Sequence, residues 1–557
     1  MVNSSFFVLA LGTAFLTATA HAQSSCPTRT RRAWSTYSTT EKQLYLNALN
    51  LAMAHGLHHK FVEVHMDPAS EHEAHDCLFL YWHRRFLLAY ENMLRSLGDE
   101  YECITLPYWD FWKLSANYQG QVCTYISDCN TLPLDLGAIT PSDDNYQGPY
   151  ADTYPQWAGW YYAINQDTWF QGTSCYRSTG NPSTSAFCQS QVDFDKNTCY
   201  KYVVVMIHAS ALLDHKTCSC IPRNDLTQAT VPGLPLLFGQ VFASQAGSDS
   251  FTYVTKGVQY NYHNGIHAAI NSIMGTFASP SDPFFYIHHA TVDALHSIYD
   301  KCVVKPKGAN TADPKNRFQW PQTADWRTSG NPNDGIKRCW KSFSTVSSRK
   351  STTYKFVDWV PTDDVLMHVM VNDGTYSRYV DVLDVDSPLR PYFASITDAN
   401  GTILHTYKDF FDTNVGTNQY SYDFGSKTYG LGRLNDQCRS TVSSTVAVSF
   451  LDEQASPDEL AALKQQRFQN DLYQFFKRKR VPEHKIVDQI SLARCVYTNE
   501  CLGGVFDYTD AFRENFRVHG SPECFTAIHR YASGEVALPD GWLQRFMQHY
   551  PCHSSAL

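Results

Sequence analysis

Between residues 260 and 302 the chain reads YNYHNGIHAAINSIMGTFASPSDPFFYIHHATVDALHSIYDKC and holds five histidines. His263 and His267 stand four apart, so on a helix both imidazoles share one face and can reach one metal ion. Downstream, Pro280 and Pro283 can start a new helix with Asp282 as its N-cap. That helix carries His289 and Asp293 at i and i+4, which places Asp293 to buttress an imidazole or to pair with an arginine. Two histidines from one helix and one from the next make a three-nitrogen metal site with open positions. No glutamate follows His263 as in H-E-x-x-H, so a zinc hydrolase built on His263, His267 and His289 lacks its general base.

The theme occurs earlier, in HKFVEVHMDPASEHEAHDCLFLYWHRRF. His65 follows a helical apolar pattern, His75 precedes an apolar run and His83 begins a helix; His72 competes with His75 for the middle position. Two such sets suggest two metals, and coordination by imidazole alone suits copper among the available ions. His288, one position before His289, is rotated by about 100° on a continuing helix and is expected to line or buttress the site. His55, His58 and His59 are expected at the surface or in support. Phe284, Phe285 and Tyr286 belong either to the pocket wall or to the core of the turn. Arg84 and Asp110 are candidates for a buried ion pair.

The elements that must position these residues are mostly helical. Ser38-Thr39-Thr40-Glu41 reads as a capping box that opens a helix through EKQLYLNALNLAMAH. Gly56 interrupts it, LHHKFVEVHM starts a second, and Asp67-Pro68 ends that one. YWHRRFLLAYENMLRSL gives a third, and ITLPYWDFW reads as a buried extended or turn segment. Residues 115–200 show no sustained period and are expected as long disulfide-pinned loops. Helical pattern returns over 263–274 and 283–302. TTYKFVDWV, YSRYVDVLDV and GTILHTY alternate like strands.

YWHRRF with LPYWDFW, then YHNGIH and SPSDPFFYIHHATVD, resemble the two copper-binding blocks of the tyrosinase, catechol oxidase and haemocyanin superfamily, here at 60–112 and 260–302. The resemblance implies a mainly α fold, a four-helix bundle that holds two copper ions face to face. It assigns His65, His75 and His83 to the first ion and His263, His267 and His289 to the second. It also gives Asn264 the role of holding a water that deprotonates a phenol. Thr255 stands where the usual partner carboxylate of that water would be, and Glu73 where some relatives carry a cysteine bonded to the middle histidine. The implied activity is a copper oxidase that uses O2 on small catecholic or phenolic substrates. Diphenols go to o-quinones, with hydroxylation of monophenols beside it. The alternative is an oxygen carrier of the haemocyanin kind.

The rest of the chain bounds this reading. Phe6 to Ala20 is an apolar run followed by Ala20-His21-Ala22, as in a secretory leader at 1–22. All 17 cysteines follow it, which fits an oxidising compartment and a secreted protein. Asn400-Gly401-Thr402 is a glycosylation sequon. A net charge of −9 argues against nucleic acid, and no later stretch is long and apolar enough to span a membrane. The expected organisation is a dicopper domain at 23–435, a linker at 436–457 and a cysteine-bearing extension at 458–557. Relatives with such extensions often mask the copper site until proteolysis. The basic run in QFFKRKRVPEHK, Lys477–Arg480, is then a candidate processing site.

Overall fold

A computed structural model describes residues 26–136, 251–321, 341–343, 355–438 and 457–552, with short interruptions that include 71–73 and 76–77. Two short paired strands, Ile164–Asn165 and Thr217–Cys218, are also described. The expected leader, His72, Cys77, most of the 115–200 loops and most of the 436–457 linker lie outside these residues.

Helices dominate and follow the local signals. Ser38 Oγ accepts from the Glu41 amide and Glu41 Oε2 accepts from the Ser38 amide, a complete capping box at the head of Thr39–Ala54. Gly56 adopts φ +72°, a left-handed turn that a side chain would strain, and the chain restarts as Leu57–Met66. The helix Phe79–Arg95 is buried along nearly its whole length, which makes it the central rod of the bundle. Phe284–Tyr299 is its counterpart in the second histidine block, and Asp282 Oδ1 accepts from the Phe284 amide at its start.

Several expectations are corrected. Phe111–Gln119 is a helix, although ITLPYWDFW reads as extended up to Tyr108. Phe111 and Trp112 are buried in the packed core, so tertiary contact and not local period decides it. The helix that carries His263 begins at Phe251 and passes through a π-helical stretch, Gly257–His263, before Asn264–Ile270. GTILHTY forms only isolated bridges. Two of the expected strands appear as Lys355–Val357, paired with Lys341–Phe343, and Ser377–Asp381, paired with His368–Asn372. A parallel pair that the pattern does not announce joins Arg29–Arg32 to Tyr420–Asp423.

That pair inserts Arg31 into the core. Arg31 Nε donates to Glu91 Oε2 at 3.0 Å and Nη1 to Asp293 Oδ2 at 3.1 Å. Arg84 Nε donates to Asp293 Oδ1 at 2.6 Å, and the hydroxyls of Tyr420 and Tyr422 each donate to Oδ2 at 2.6 Å. Arg84 therefore pairs with Asp293 and not with Asp110, which bonds Ser35 and Lys113. A carboxylate four residues after His289 and an arginine beside His83 lock the two histidine-bearing helices together. The two arginines hold the Asp293 carboxyl down at about 2 against the cost of burial.

A second core lies in the extension. Pro457–Arg478 and Glu483–Cys501 form a hairpin that buries Phe468, Leu472, Phe476, Ile486 and Ile490, with Trp542 and Phe546 from the last helix. Cys495–Cys524 and Cys501–Cys552 close this unit on itself. The hairpin docks on Phe111–Gln119 through hydrogen bonds that include Gln465 to Gln119, Arg494 to Ser115 and Tyr118 to the Leu502 carbonyl. Among the described residues no helix is long and apolar enough to cross a membrane.

Removing one partner of a buried ion pair leaves the other charge uncompensated, at a cost of about 3–5 kcal/mol. Asp293→Asn should lower the unfolding free energy of the metal-free protein by about that amount in urea titration. A loss below about 1 kcal/mol would mean the two arginines find other partners.

Candidate metal centre

Three imidazoles of the first block converge from three pieces of chain. His65 lies in the last turn of Leu57–Met66 and His83 in the first turns of Phe79–Arg95. His75 stands between them on a turn. Ring centroids are 4.9 Å apart for His65 and His75, 5.6 Å for His65 and His83, and 6.3 Å for His75 and His83. His65 Nδ1 donates to the Phe277 carbonyl at 2.7 Å and His83 Nδ1 to the Phe79 carbonyl at 2.9 Å. A carbonyl only accepts, so both rings carry their proton on Nδ1 and present an Nε2 lone pair.

The second block is tighter. His263 closes the π-helix, His267 follows one turn on, and His289 comes from Phe284–Tyr299. His289 Nε2 lies 3.2 Å from His263 Nε2 and 3.4 Å from His267 Nε2. The Met274 carbonyl takes the Nδ1 proton of His267 at 2.5 Å, and Asn264 Oδ1 that of His263 at 2.9 Å. Asn264 is thus at the site, with its side-chain oxygen engaged in fixing a ring. His288 also belongs to this cluster: the ligand atoms of His263, His267, His288 and His289 lie within 4.8 Å of one another. Its ring stacks on His263 at 5.4 Å, closer in than a strict 100° offset from His289 suggests.

The two sets face each other. His83 stacks on His289 at 4.2 Å and 19°, and Phe79 packs between His83 and His263 at 4.7 and 4.6 Å. Phe285 stacks on His289 at 3.9 Å and meets His65 at 5.1 Å, so it is part of the wall, while Phe284 packs on Trp109 and Tyr286 on Tyr90. His58 is a buried joint that bonds the Tyr90 hydroxyl and the Ser281 carbonyl. Sequence reading does not anticipate Phe277 and Phe516. Phe277 packs on His75 at 4.6 Å. Phe516, from the extension helix Asp510–Phe516, reaches 4.9 Å from His267 and 6.0 Å from His75, one imidazole of each set. Neither lies in a metal-ligand pattern, and Phe516 is about two hundred and fifty residues from His267 and about four hundred and forty from His75.

These donors suit soft or borderline cations. Nε2 of His65 and His83 and both ring nitrogens of His75 are buried without a hydrogen-bond partner among the described residues, a costly arrangement unless a cation accepts the lone pairs. Burial pushes the imidazoles down, His65 to about 4 and His75, His83, His263, His267 and His289 well below the ordinary value. They are neutral and ligating at physiological pH. Six imidazoles without carboxylate or thiolate favour copper.

Residues 54–301 match the family model for the common central domain of tyrosinase. The chain is 27% identical to the tyrosinase of Streptomyces antibioticus over 220 residues, 39% of this chain and 60% of that protein. Against the tyrosinase of Streptomyces glaucescens it is 26% identical over 275 residues, 48% of this chain and 80% of that one. A solved polyphenol oxidase variant from Thermothelomyces thermophila aligns at a TM-score of 0.34 and 17% identity, over 71% of this chain and 89% of that one. The chain thus spans about three fifths of the first of these relatives.

The buried imidazoles fix a pH dependence. An imidazole in the unfolded chain takes a proton near pH 6.5, whereas in the fold His65 and His58 do so only near 4. Below 6.5 the unfolded state binds more protons, so the metal-free protein loses stability as pH falls from 6.5 towards 4. Urea midpoints of metal-free protein should fall steadily through this range. A flat profile would mean the rings are solvated.

Proposed function

We propose that the chain, whose residues 54–301 match the central-domain model of tyrosinase, is a copper oxidoreductase of that family that uses O2 to oxidise o-diphenols to o-quinones at two copper ions. The observation that carries this reading is the pair of facing imidazole sets, with His83 stacked on His289. Bound there, two copper ions would supply a two-electron store suited to O2 reduction. His65, His75 and His83 would hold one and His263, His267 and His289 the other.

The chain's own residues then orient the phenol. Its ring would lie against His75, His267 and Phe277, where the Phe516 ring now stands. A catechol gives up two electrons and two protons and leaves as the quinone. Hydroxylation of a monophenol needs a base first. Asn264 keeps its amide N–H groups for a water, since its oxygen serves His263. Thr255, buried and with its hydroxyl unpartnered among the described residues, cannot take a proton as a carboxylate would. Monophenols are therefore the slower substrates in this reading.

We place the protein outside the cell, on the leader-like segment 1–22 and the cysteine content. Asn400 lies exposed in a turn, open to glycosylation. The extension would act as a mask: Phe516 fills the approach to both histidine sets, and no disulfide among the described residues ties this unit to the rest. Lys477–Arg480 is exposed at the tip of the hairpin, where a protease could cut.

The test is oxygen uptake by copper-loaded protein, uncut and trimmed, with a catechol and then a monophenol. Phe516→Ala in the uncut chain should raise catechol oxidation at least about tenfold, the effect of restoring access worth about 1.4 kcal/mol. Full-rate turnover by the uncut wild-type chain would sink the mask. Two bound copper ions with no turnover in any form would favour an oxygen carrier.

A further inference from the structure

His75 differs from the other five imidazoles in how it is held. His65, His83, His263 and His267 are pinned through Nδ1, and His289 is sandwiched between Phe285 and His83. His75 lies on a turn, and neither ring nitrogen has a hydrogen-bond partner among the described residues. Among the described residues its ring packs on neighbouring rings, Phe277 at 4.6 Å, His65 at 4.9 Å and Phe516 at 6.0 Å.

Its backbone, however, is tied. Gln259 Nε2 donates to the His75 carbonyl at 2.5 Å, and Gln259 is buried. Gln259 sits in the π-helix Gly257–His263, in the other histidine block. The amide of Asn264 donates to the Gln259 carbonyl five residues back, the π-type bond of that stretch. Asn264 in turn fixes the ring of His263. One residue therefore holds a member of each set: its side chain holds the backbone of His75, and its carbonyl holds the residue that orients His263.

We infer that Gln259 is a positioning residue that registers His75, and with it the first metal site, against the second. The inference rests on the two-ion reading proposed above. Loss of such an outer partner typically weakens metal affinity about 10- to 100-fold. That loss should fall on one ion only, because His263, His267 and His289 keep their own supports.

The experiment measures copper per chain during dialysis against graded chelator, with the metal-free melting curve recorded alongside. Gln259→Met keeps the side-chain length without a donor, and Gln259→Glu keeps the shape with an acceptor in the donor's place. Both should release one ion at about 10- to 100-fold lower chelator than wild type, as His75→Ala does more completely, and hold the other normally. The ion left behind should give the electron paramagnetic resonance signal of an isolated Cu(II). Asn117→Leu, which removes a buried bond to the Cys129 carbonyl away from the site, should lower the melting temperature without changing copper retention. Retention of both ions by the Gln259 variants at wild-type chelator levels would overturn the assignment alone. Fewer than two ions in the wild type would overturn the two-ion reading, and this assignment with it.

Discussion

The buried carboxylate of Asp293 is the interaction on which the rest of the architecture hangs. It accepts from two guanidinium groups and two phenols, and these come from the first strand, the central helix and the strand near residue 420. A single ion in this interior would be strongly disfavoured; four donors around one carboxylate make the burial tolerable. Every donor must be present at once, so the node fixes the relative placement of segments nearly four hundred residues apart. It also sits one turn beyond His289 and next to His83, which makes the separation of the two histidine helices a rigid quantity. Glu91, bonded to Arg31 and to the Leu106 amide, extends the same network towards the LPYWDFW segment.

Those constraints explain what could be read in advance. His263 with His267, His289 after its double proline, and His83 at a helix start are legible because ligand spacing and helix entry are local properties. The capping box at Ser38 and the break at Gly56 are legible for the same reason. Local sequence offers Arg84 the nearby Asp110, but its partner is Asp293, chosen by the packing of a helix two hundred residues away. The pairing of Arg29–Arg32 with Tyr420–Asp423 has no local signal at all. The π-helical stretch is hidden differently: its wider turn breaks the 3.6-residue period on which helix recognition depends, so the helix could be seen only from His263 onward. His288 joins the second cluster for a related reason, because rings on adjacent positions can still converge when a wide turn faces them.

The centre itself is a buried cluster of neutral bases. Its polarity comes from carbonyls of Phe79, Met274 and Phe277, which take the Nδ1 protons and leave lone pairs inward. Aromatic rings pack against the imidazoles, Phe79 on His263, Phe277 on His75, Phe285 on His289 and Phe516 on His267. No side-chain charge other than a bound cation would be stable there, which ties the identity of the ligands to that of the walls.

Phe516 reaches this cluster from a segment whose two ends are both clamped. Cys501 and Cys524 flank it in sequence and are bonded to Cys552 and Cys495. Phe512 stacks on it at 4.6 Å. The ring is thus carried by a closed loop of the extension and not by a free end. Read as a mask, such a unit would make an uncut preparation a mixture of shut and open molecules, not a uniform population of sluggish ones. Single-turnover traces would separate the two cases: a small burst at full speed for the mixture, a complete burst at reduced speed for the uniform population.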